Sequence, residues 1–270
     1  MSDHTVSQVR VVGRTRLLAI IGDPVHLVRS PESFNPKIAA AGHNALLVPV
    51  HLPSAAFEAA IGGVMAIANL DGIILTMPFK ERILPHLARI SERARQVGGA
   101  NAARRLPDGG WEGDIFDGVG LVGAVRGLGV DPKGLRAGLL GAGGAGSAIA
   151  FALAAGGVAS LAIYDPMVER AEGLAARIAT AHGLVPTVGT FTASGLDLLV
   201  NATPIGMKPE DGPPLDVSGL TAAQSVVDIV TRPEGTALLS AAARAGCRHA
   251  GGAAMIAAQG AAMLEFFGLN

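Results

Sequence analysis

The sequence contains one long uncharged stretch, Ala137–Tyr164, which runs for 28 residues. Its length exceeds the ~20 residues that a helix needs to cross a bilayer, so a membrane span has to be considered first. Four glycines bunch at 141–146 in the order Gly-Ala-Gly-Gly-Ala-Gly. Such a bunch marks a backbone turn, which would leave peptide groups unpaired at mid-bilayer depth. The stretch is therefore interpreted as a buried strand, a tight turn, a buried helix and a second strand.

Composition excludes several classes of function. The net charge is −1 without a basic cluster, so neither nucleic acid nor a membrane surface is expected as a partner. Because Cys247 is the only cysteine and the histidines lack ligand spacing, neither a disulfide nor a metal site is expected. Residues 1–10 lack the apolar core of a signal peptide. The chain is predicted to be cytoplasmic, as a monomer or homodimer.

The first half of the chain alternates apolar runs with helix-length segments. Ser30 is expected to cap the first helix, with Pro31 at its first helical position. A further helix is expected to begin at Pro78, and a hairpin is predicted around 98–113. Strands separated by helices indicate βαβ units and a parallel sheet. The strands and helices predicted before Pro78 are 17–21, 30–42, 45–52, 53–68 and 71–76.

The pattern restarts after a connecting helix at 118–127 and a loop at 129–134. Alternating strands and helices follow again, and a Gly/Ala-rich helical stretch, 252–267, ends the chain. The fold class is therefore predicted to be α/β. The strands and helices predicted between the loop and the last helix are 135–140, 144–155, 160–164, 166–182, 197–201 and 225–229.

The Gly-rich turn carries the pattern of a dinucleotide site. Gly141, Gly143 and Gly146 fit G-x-G-x-x-G between a predicted strand and a predicted helix. These glycines permit a tight turn and let a pyrophosphate approach the N–H groups at the helix N-terminus. The alternative is a turn that serves only the packing of the strand against the helix.

An acidic residue stands where such a site needs one. The strand 161–164 ends at Asp165, 24 residues after Gly141. A carboxylate there accepts hydrogen bonds from the ribose hydroxyls of the adenosine and repels a 2′-phosphate. The alternative is a simple helix cap before Pro166. The turn and the acid together favour NAD as cofactor, with NADP as the other candidate.

Further fragments, in this order, resemble the shikimate/quinate dehydrogenase family over nearly the whole chain, 22–267. The stretch T-x-P-F-K at 76–80 and the closing M-x-x-x-Q-G-A from Met255 are the most specific. The resemblance implies a substrate-binding α/β domain at 1–117, a Rossmann NAD(P)-binding domain at 118–251, and a last helix, 252–270, that returns to the first domain. The other fragments are Gly22-Asp23-Pro24 with Ser30-Pro31, Gly99-Ala100-Asn101-Ala102, Gly113-Asp114-Ile115-Phe116-Asp117-Gly118, Asn201-Ala202-Thr203-Pro204-Ile205-Gly206-Met207 and Val227-Asp228-Ile229-Val230.

The resemblance also implies a reaction, reversible hydride transfer between a nicotinamide and a ring carbon that bears a hydroxyl or a ketone. The substrate would be a small cyclic hydroxy acid. Lys80 would be the general acid/base at the reacting oxygen, with Asp117 as its partner. Burial would lower the pKa of a lysine whereas a carboxylate neighbour would keep it charged, and the sequence does not decide between these effects.

Binding roles follow from the same resemblance. Asn101 and Gln259 would bind substrate hydroxyls beside Thr76, Ser30 would contact the substrate carboxylate unless it is only a helix cap, and Thr231 occupies a further substrate position. The implied cofactor residues are Gly141, Ala142, Gly143, Gly144, Ala145, Gly146 and Asp165, with Asn201, Ala202, Thr203, Ile229, Gly252 and Met255 on the nicotinamide side.

Three positions depart from the family pattern. Val28 stands where the family has a serine, Ile115-Phe116 where it has Asn-Thr, and Thr231 where it has a tyrosine. Each change alters a polar group expected near the substrate, and a missing partner costs about 1–3 kcal/mol. We therefore expect hydride chemistry on an altered acid, with Arg29 as a substitute carboxylate contact or a plain surface residue. Two alternatives stay open: a reductase of a different alicyclic substrate, and an inactive nucleotide-binding regulator.

Overall fold

The computed structural model describes residues 11–26 and 28–270, which form two compact units. The first unit contains the residues before Asp117 together with Gly260–Asn270, and the second unit is Asp117–Gln259. The segment 1–10, with its predicted lack of a signal core, lies outside the described residues.

The first unit is built on one six-stranded sheet with the order β2-β1-β3-β5-β6-β4. Strands β2, β1 and β3 are parallel, β5 and β6 form an antiparallel hairpin, and β4 pairs in parallel with β6. The hairpin confirms the turn predicted around 98–113. The elements are β1 (Arg16–Gly22), α1 (Ser30–Ala40), β2 (Ala45–His51), α2 (Phe57–Met65), β3 (Leu70–Leu75), β4 (Arg89–Ile90), α3 (Glu92–Val97), β5 (Ala102–Arg105) and β6 (Trp111–Asp114).

Two local predictions for this unit are wrong. Arg29, not Ser30, occupies the cap position of α1, and no side chain caps that helix. The helix expected at Pro78 is a series of turns that ends in a single 3-10 turn, Leu84–His86. The reason is that Phe79 is fully buried in the core and stacks on Phe57, with ring centroids 4.4 Å apart, a tertiary contact that overrides the local helical signal.

The second unit has a six-stranded, fully parallel sheet with the order β12-β11-β10-β7-β8-β9. Helices connect β7 to β8, β8 to β9 and β11 to β12, whereas loops lead from β9 to β10 and from β10 to β11. The strand order is that of a doubly wound nucleotide-binding sheet. The predicted helix 144–155 and strand 160–164 match the structure residue for residue. The elements are α4 (Asp117–Gly127), β7 (Arg136–Leu140), α5 (Gly144–Ala155), β8 (Ser160–Tyr164), α6 (Val168–His182), β9 (Thr187–Val188), β10 (Leu198–Asn201), β11 (Ser225–Asp228), α7 (Ala237–Arg244), β12 (Arg248–Gly251) and α8 (Gly252–Phe266).

Small residues let the helices of the second unit approach closely. A Cβ at Gly118 would lie 2.5 Å from Ala148 O in α5, and one at Gly120 would lie 2.8 Å from Met255 O in α8. Helix α4 therefore packs directly against both neighbours. The residues of α8 before Gly260 belong to the second unit, and those from Gly260 onward belong to the first.

The uncharged stretch is thus β7, the turn, α5 and β8, as predicted. Across residues 11–26 and 28–270, no helix combines the length and the apolar character needed to cross a membrane.

Candidate active site

The first unit has a topological switch point between β1 and β3. The chain leaves β1 for β2 on one side and later returns to β3 on the other. Open α/β sheets bind ligands at such a point, outside the carboxyl ends of the strands. The loop after β1 leads to Ser30, the half-buried first residue of α1, and the loop after β3 holds Thr76 and Lys80. The residues predicted to handle the substrate therefore follow the two strands that flank the switch point.

The loop after β3 is held against its neighbours through backbone contacts. The N–H of Thr76 donates to Ile21 O at 3.0 Å, and the carbonyl of Lys80 accepts from Ala100 N at 2.8 Å. A side chain at Gly22 would collide with the methyl group of Thr76, so glycine is needed at that position. These contacts fix the backbone that carries Thr76 and Lys80, and the Lys80 side chain is half-buried.

Asn101 lies on the adjacent segment and is oriented by its own hydrogen bonds. It is buried, its backbone carbonyl accepts from Leu75 N at 2.8 Å, and its Oδ1 accepts from Phe116 N at 2.9 Å. The side-chain Nδ2 is therefore the group positioned to donate to a substrate oxygen. The structure brings together Thr76, Lys80 and Asn101 at one edge of the first sheet.

The segment that leads to Asp117 is held by an acidic residue that the sequence analysis overlooked. Arg93 donates from Nε and Nη2 to the two oxygens of Asp114, at 2.7 and 2.5 Å. Ser91 Oγ donates to the same carboxylate, and so does Ile115 N, at 2.7 Å. Bidentate pairs of this kind combine strength with fixed geometry. The sequence signal for this cluster was Ser91, a residue type that often caps helices. Ser91 caps α3, because its side chain accepts a hydrogen bond from Ala94 N.

The departures from the family pattern occupy different environments. Ile115 and Phe116 are buried, and the Phe116 ring packs 5.5 Å from Phe266 and beneath the Arg93 guanidinium. They add apolar packing where the family pattern has polar groups. Val28 is half-buried and Thr231 is exposed.

The suggested replacement contact, Arg29, lies in an ion pair at the surface. Its Nη2 is 2.9 Å from Glu32 Oε2, and both side chains are more than half exposed. This ion pair balances the charge of Arg29, so no ligand is needed to explain the arginine.

The second unit has its own switch point, between β7 and β10. Gly141, after β7, has φ of +97°, and a Cβ there would lie 2.8 Å from Ala202 O in the loop after β10. A Cβ at Gly146 would overlap the carbonyl of Gly141, whereas one at Gly143 would meet nothing within 4 Å. The first and third glycines thus serve close packing, and the second leaves open space before α5. This cradle of unhindered backbone at a helix N-terminus fits the pyrophosphate of a dinucleotide.

Asp165 uses its carboxylate within the protein. Oδ2 accepts from Ala142 N at 2.8 Å and Oδ1 accepts from Met167 N at 2.9 Å. The side chain is buried and ties the end of β8 to the Gly-rich turn. It does not cap α6, whose cap residue is Met167. The contact with ribose hydroxyls stays a prediction.

The nicotinamide-side residues also make internal contacts. Asn201 is fully buried and bonds to Thr203, Ile205 and Asp228. A side chain at Gly252 would collide with the carbonyl of Ile229. Asn201 therefore shapes the loop after β10, and Gly252 lets α8 begin beside β11. Met255 is buried in the first turns of α8.

Gln259 carries a buried acceptor whose hydrogen-bonding capacity is unused. Its Oε1 is buried and has no hydrogen-bond partner among the described residues. Buried polar atoms are nearly always paired, so this acceptor has capacity for one more hydrogen bond, from water or from a bound group. A substrate hydroxyl would satisfy it, as the resemblance implies. Asp117, at the start of α4, is also buried, and its pairing with Lys80 stays a prediction. The described residues contain no cluster of three or more side chains suited to a metal ion.

Comparisons with known proteins agree with this arrangement. Residues 20–103 match the family model described as the shikimate dehydrogenase substrate binding domain. A shikimate dehydrogenase (NADP(+)) of Rubrobacter xylanophilus is 38% identical over 260 residues, which cover 94% of this chain and 91% of the relative. The chain belongs to the shikimate dehydrogenase family. This confirms the resemblance and the predicted enzyme class, an NAD(P)-dependent oxidoreductase acting on a CH–OH group.

Solved shikimate dehydrogenase structures share the fold. That of shikimate 5-dehydrogenase from Listeria monocytogenes, in complex with shikimate and NAD, has a TM-score of 0.87 at 28% identity and covers 97% of this chain and 94% of that one. The ligand-free 5-ketofructose reductase of Gluconobacter sp. strain CHM43 has a TM-score of 0.86 at 28% identity, with 95% and 94% covered. The predicted α/β class, with a substrate domain and a Rossmann domain, is confirmed for this shikimate dehydrogenase family member.

Proposed function

We propose that the protein catalyses reversible hydride transfer between a nicotinamide dinucleotide and the CH–OH carbon of shikimate or a closely related ring hydroxy acid. The observation that carries the proposal is the cradle at Gly141–Gly146, where packing requires the first and last glycines of the pattern and Gly143 leaves room for phosphate. The unpaired Gln259 Oε1 supplies an acceptor for a substrate hydroxyl.

The proposed roles divide the chemistry among the chain's own residues. The bound nicotinamide accepts or supplies the hydride. Lys80 Nζ gives a proton to the reacting oxygen in reduction and takes it in oxidation, a contribution typically worth about 10²–10⁴-fold in rate. Asn101 Nδ2 and Gln259 Oε1 orient the substrate hydroxyls beside Thr76, and Ser30 contacts the carboxylate. Asp117 orients the Lys80 side chain.

We further propose that NAD is the preferred cofactor. Residues 166–169 after β8 are Pro, Met, Val and Glu, so no cation stands beside Asp165 before Arg170. Recognition of the 2′-phosphate of NADP usually requires an arginine nearby. The Rubrobacter relative and other curated relatives are named for NADP(+), which favours NADP instead, so both cofactors have to be compared directly.

A second substrate class is favoured by Val28 and Thr231. These positions alter polar groups expected near the substrate, and the Gluconobacter structure of similar fold is named as a 5-ketofructose reductase. A ketone without a carboxylate needs none of the missing contacts. The runner-up function is therefore reduction of a neutral polyhydroxy ketone.

The deciding experiment is a steady-state screen. Shikimate and quinate are oxidised with NAD⁺ and NADP⁺ in parallel, and 5-ketofructose is reduced with both reduced cofactors. The main proposal predicts the highest kcat/KM for a ring acid with NAD⁺. Highest efficiency with 5-ketofructose would establish the runner-up. Nucleotide binding without turnover of any substrate would favour a regulatory module.

A further inference from the structure

Three buried polar side chains of the second unit form a continuous hydrogen-bonded chain. Asn201 ends β10, Asp228 ends β11 and Thr236 caps α7, and their relative exposures are 0%, 0% and 3%. Asn201 Nδ2 donates to Asp228 Oδ1 at 2.9 Å, and Thr236 Oγ1 donates to Asp228 Oδ2 at 2.7 Å. Asp228 is thus the link between two loops that begin at the carboxyl edge of the sheet.

The environment of Asp228 makes its presence costly. Besides Asn201 and Thr236, the carboxylate accepts from Val230 N at 3.1 Å, so these three hydrogen-bond donors are all neutral. Burial raises the pKa of this carboxyl above its ordinary value. Buried polar groups of this kind cost more free energy than an apolar core of the same shape, but when fully paired they specify one geometry.

The geometry specified here is that of the loop after β10. Asn201 Oδ1 accepts from the N–H and hydroxyl of Thr203, at 3.0 and 2.7 Å, while Nδ2 also donates to Ile205 O at 3.0 Å. The same loop lies against the Gly-rich turn, where a Cβ at Gly141 would be 2.8 Å from Ala202 O. A change in the orientation of Asn201 would therefore move the wall of the cofactor cradle.

We propose that Asp228, through Asn201 and Thr236, is a positioning residue that sets the Ala202–Ile205 loop for cofactor binding. The inference rests on the proposed function of the second unit. It assigns to Asp228 and Thr236 a role in cofactor affinity that neither residue type suggests in sequence. Neither side chain has to touch the cofactor for the role to hold.

The test uses graded substitutions in the full chain. Asp228→Leu removes all acceptors, and Thr236→Val removes one hydrogen bond at nearly constant volume. Thr236→Ser and Asp228→Asn keep the essential pairings, since the amide that Asp228→Asn introduces can donate to Thr236 Oγ1. Asp216→Asn, an acidic residue of the same unit that bonds only within its own turn to Ser218, is the matched control.

We expect Asp228→Leu and Thr236→Val to raise the cofactor KM and the Kd for NAD⁺ about tenfold, with the substrate KM unchanged. Thr236→Ser and Asp228→Asn should restore values near wild type. If Asp228→Leu does not fold, Thr236→Val with its serine rescue decides the question. Lower melting temperature with cofactor KM and Kd within twofold of wild type would overturn the inference. A wild-type chain that binds neither NAD⁺ nor NADP⁺ would instead overturn the proposed function, and this inference with it.

Discussion

The Asp165 carboxylate accepts a 2.8 Å hydrogen bond from the backbone N–H of Ala142, which fastens the end of β8 to the Gly-rich turn. The other oxygen of Asp165 holds Met167 N, so the residue shapes both segments. A carboxylate that fixes the turn affects any dinucleotide bound there, whatever its 2′ substituent. A carboxylate that contacts the ribose 2′-hydroxyl strengthens the binding of NAD and weakens the binding of NADP.

Asp165→Ala separates these two roles. We expect the Kd values for NAD⁺ and NADP⁺ to rise together, about tenfold, because hydrogen bonds to a charged group contribute roughly 1.5–3 kcal/mol. Calorimetric titration with both nucleotides measures this, with Glu169→Ala as the exposed acidic control. Weaker NAD⁺ binding combined with tighter NADP⁺ binding would show instead that Asp165 faces the ribose.

Met167 offers a direct test of cofactor preference. It is 51% exposed immediately after the Asp165-Pro166 corner. We expect Met167→Arg to shift the ratio of kcat/KM values about tenfold toward NADP⁺, because an arginine there supplies the missing cation. Met167→Gln, similar in length and neutral, should leave the ratio unchanged. An unaltered ratio in the arginine variant would show that the 2′ position lies elsewhere.

The Arg93–Asp114 pair should matter for the stability of the first unit. Arg93→Ala leaves a carboxylate that is only 12% exposed without its bidentate partner, at a cost of about 1–3 kcal/mol. Arg95→Ala, in the same helix and paired with Glu92 at the surface, should cost less than about 0.5 kcal/mol. Urea unfolding followed by the fluorescence of Trp111, the only tryptophan, reports on this unit. Equal losses of unfolding free energy in Arg93→Ala and Arg95→Ala would contradict this prediction.

The pair Asp197–Arg136 predicts a pH dependence in the second unit. Hydrogen bonds from the Arg136 side chain and backbone lower the pKa of Asp197 from 3.8 to about 2. A depressed carboxyl pKa stabilises the folded state above the ordinary value, and this contribution is lost as the pH falls from 3.8 toward 2. Asp197→Asn should lower the melting temperature by about 1–3 °C at pH 6, and the difference should shrink toward pH 2. A difference in melting temperature that stays constant between pH 6 and pH 2 would contradict this prediction.

The sequence predicted the elements whose local signals are strong. Once a membrane span is set aside, the uncharged stretch is interpreted as a strand, a turn, a helix and a second strand. The predicted helix and second strand match the structure. Short elements were not predicted, because β4 has two residues and α3 has six, too few for a periodic pattern. The helix expected at Pro78 failed because Phe79 enters the core, a tertiary contact that overrides local propensity.

The family resemblance proposes which residues form the site, but it does not give their internal contacts. Family resemblance placed Thr76, Lys80 and Asn101, and the structure brings them to one sheet edge. The hydrogen bond between Asn201 and Asp228, which are 27 residues apart in the sequence, forms because β10 and β11 lie side by side. Sequence spacing does not contain that information, and the same holds for the pairing of Arg93 with Asp114.

The central claim is that Lys80 performs acid/base chemistry in a nicotinamide-dependent dehydrogenase. The most direct measurement compares Lys80→Met with wild type, using kcat for the best ring acid and Kd for NAD⁺. Lys133→Met, an exposed lysine of the second unit, is the control. We predict a loss in kcat of at least about 10²-fold with the Kd unchanged, and no effect in the control. Undiminished turnover in Lys80→Met would contradict the account.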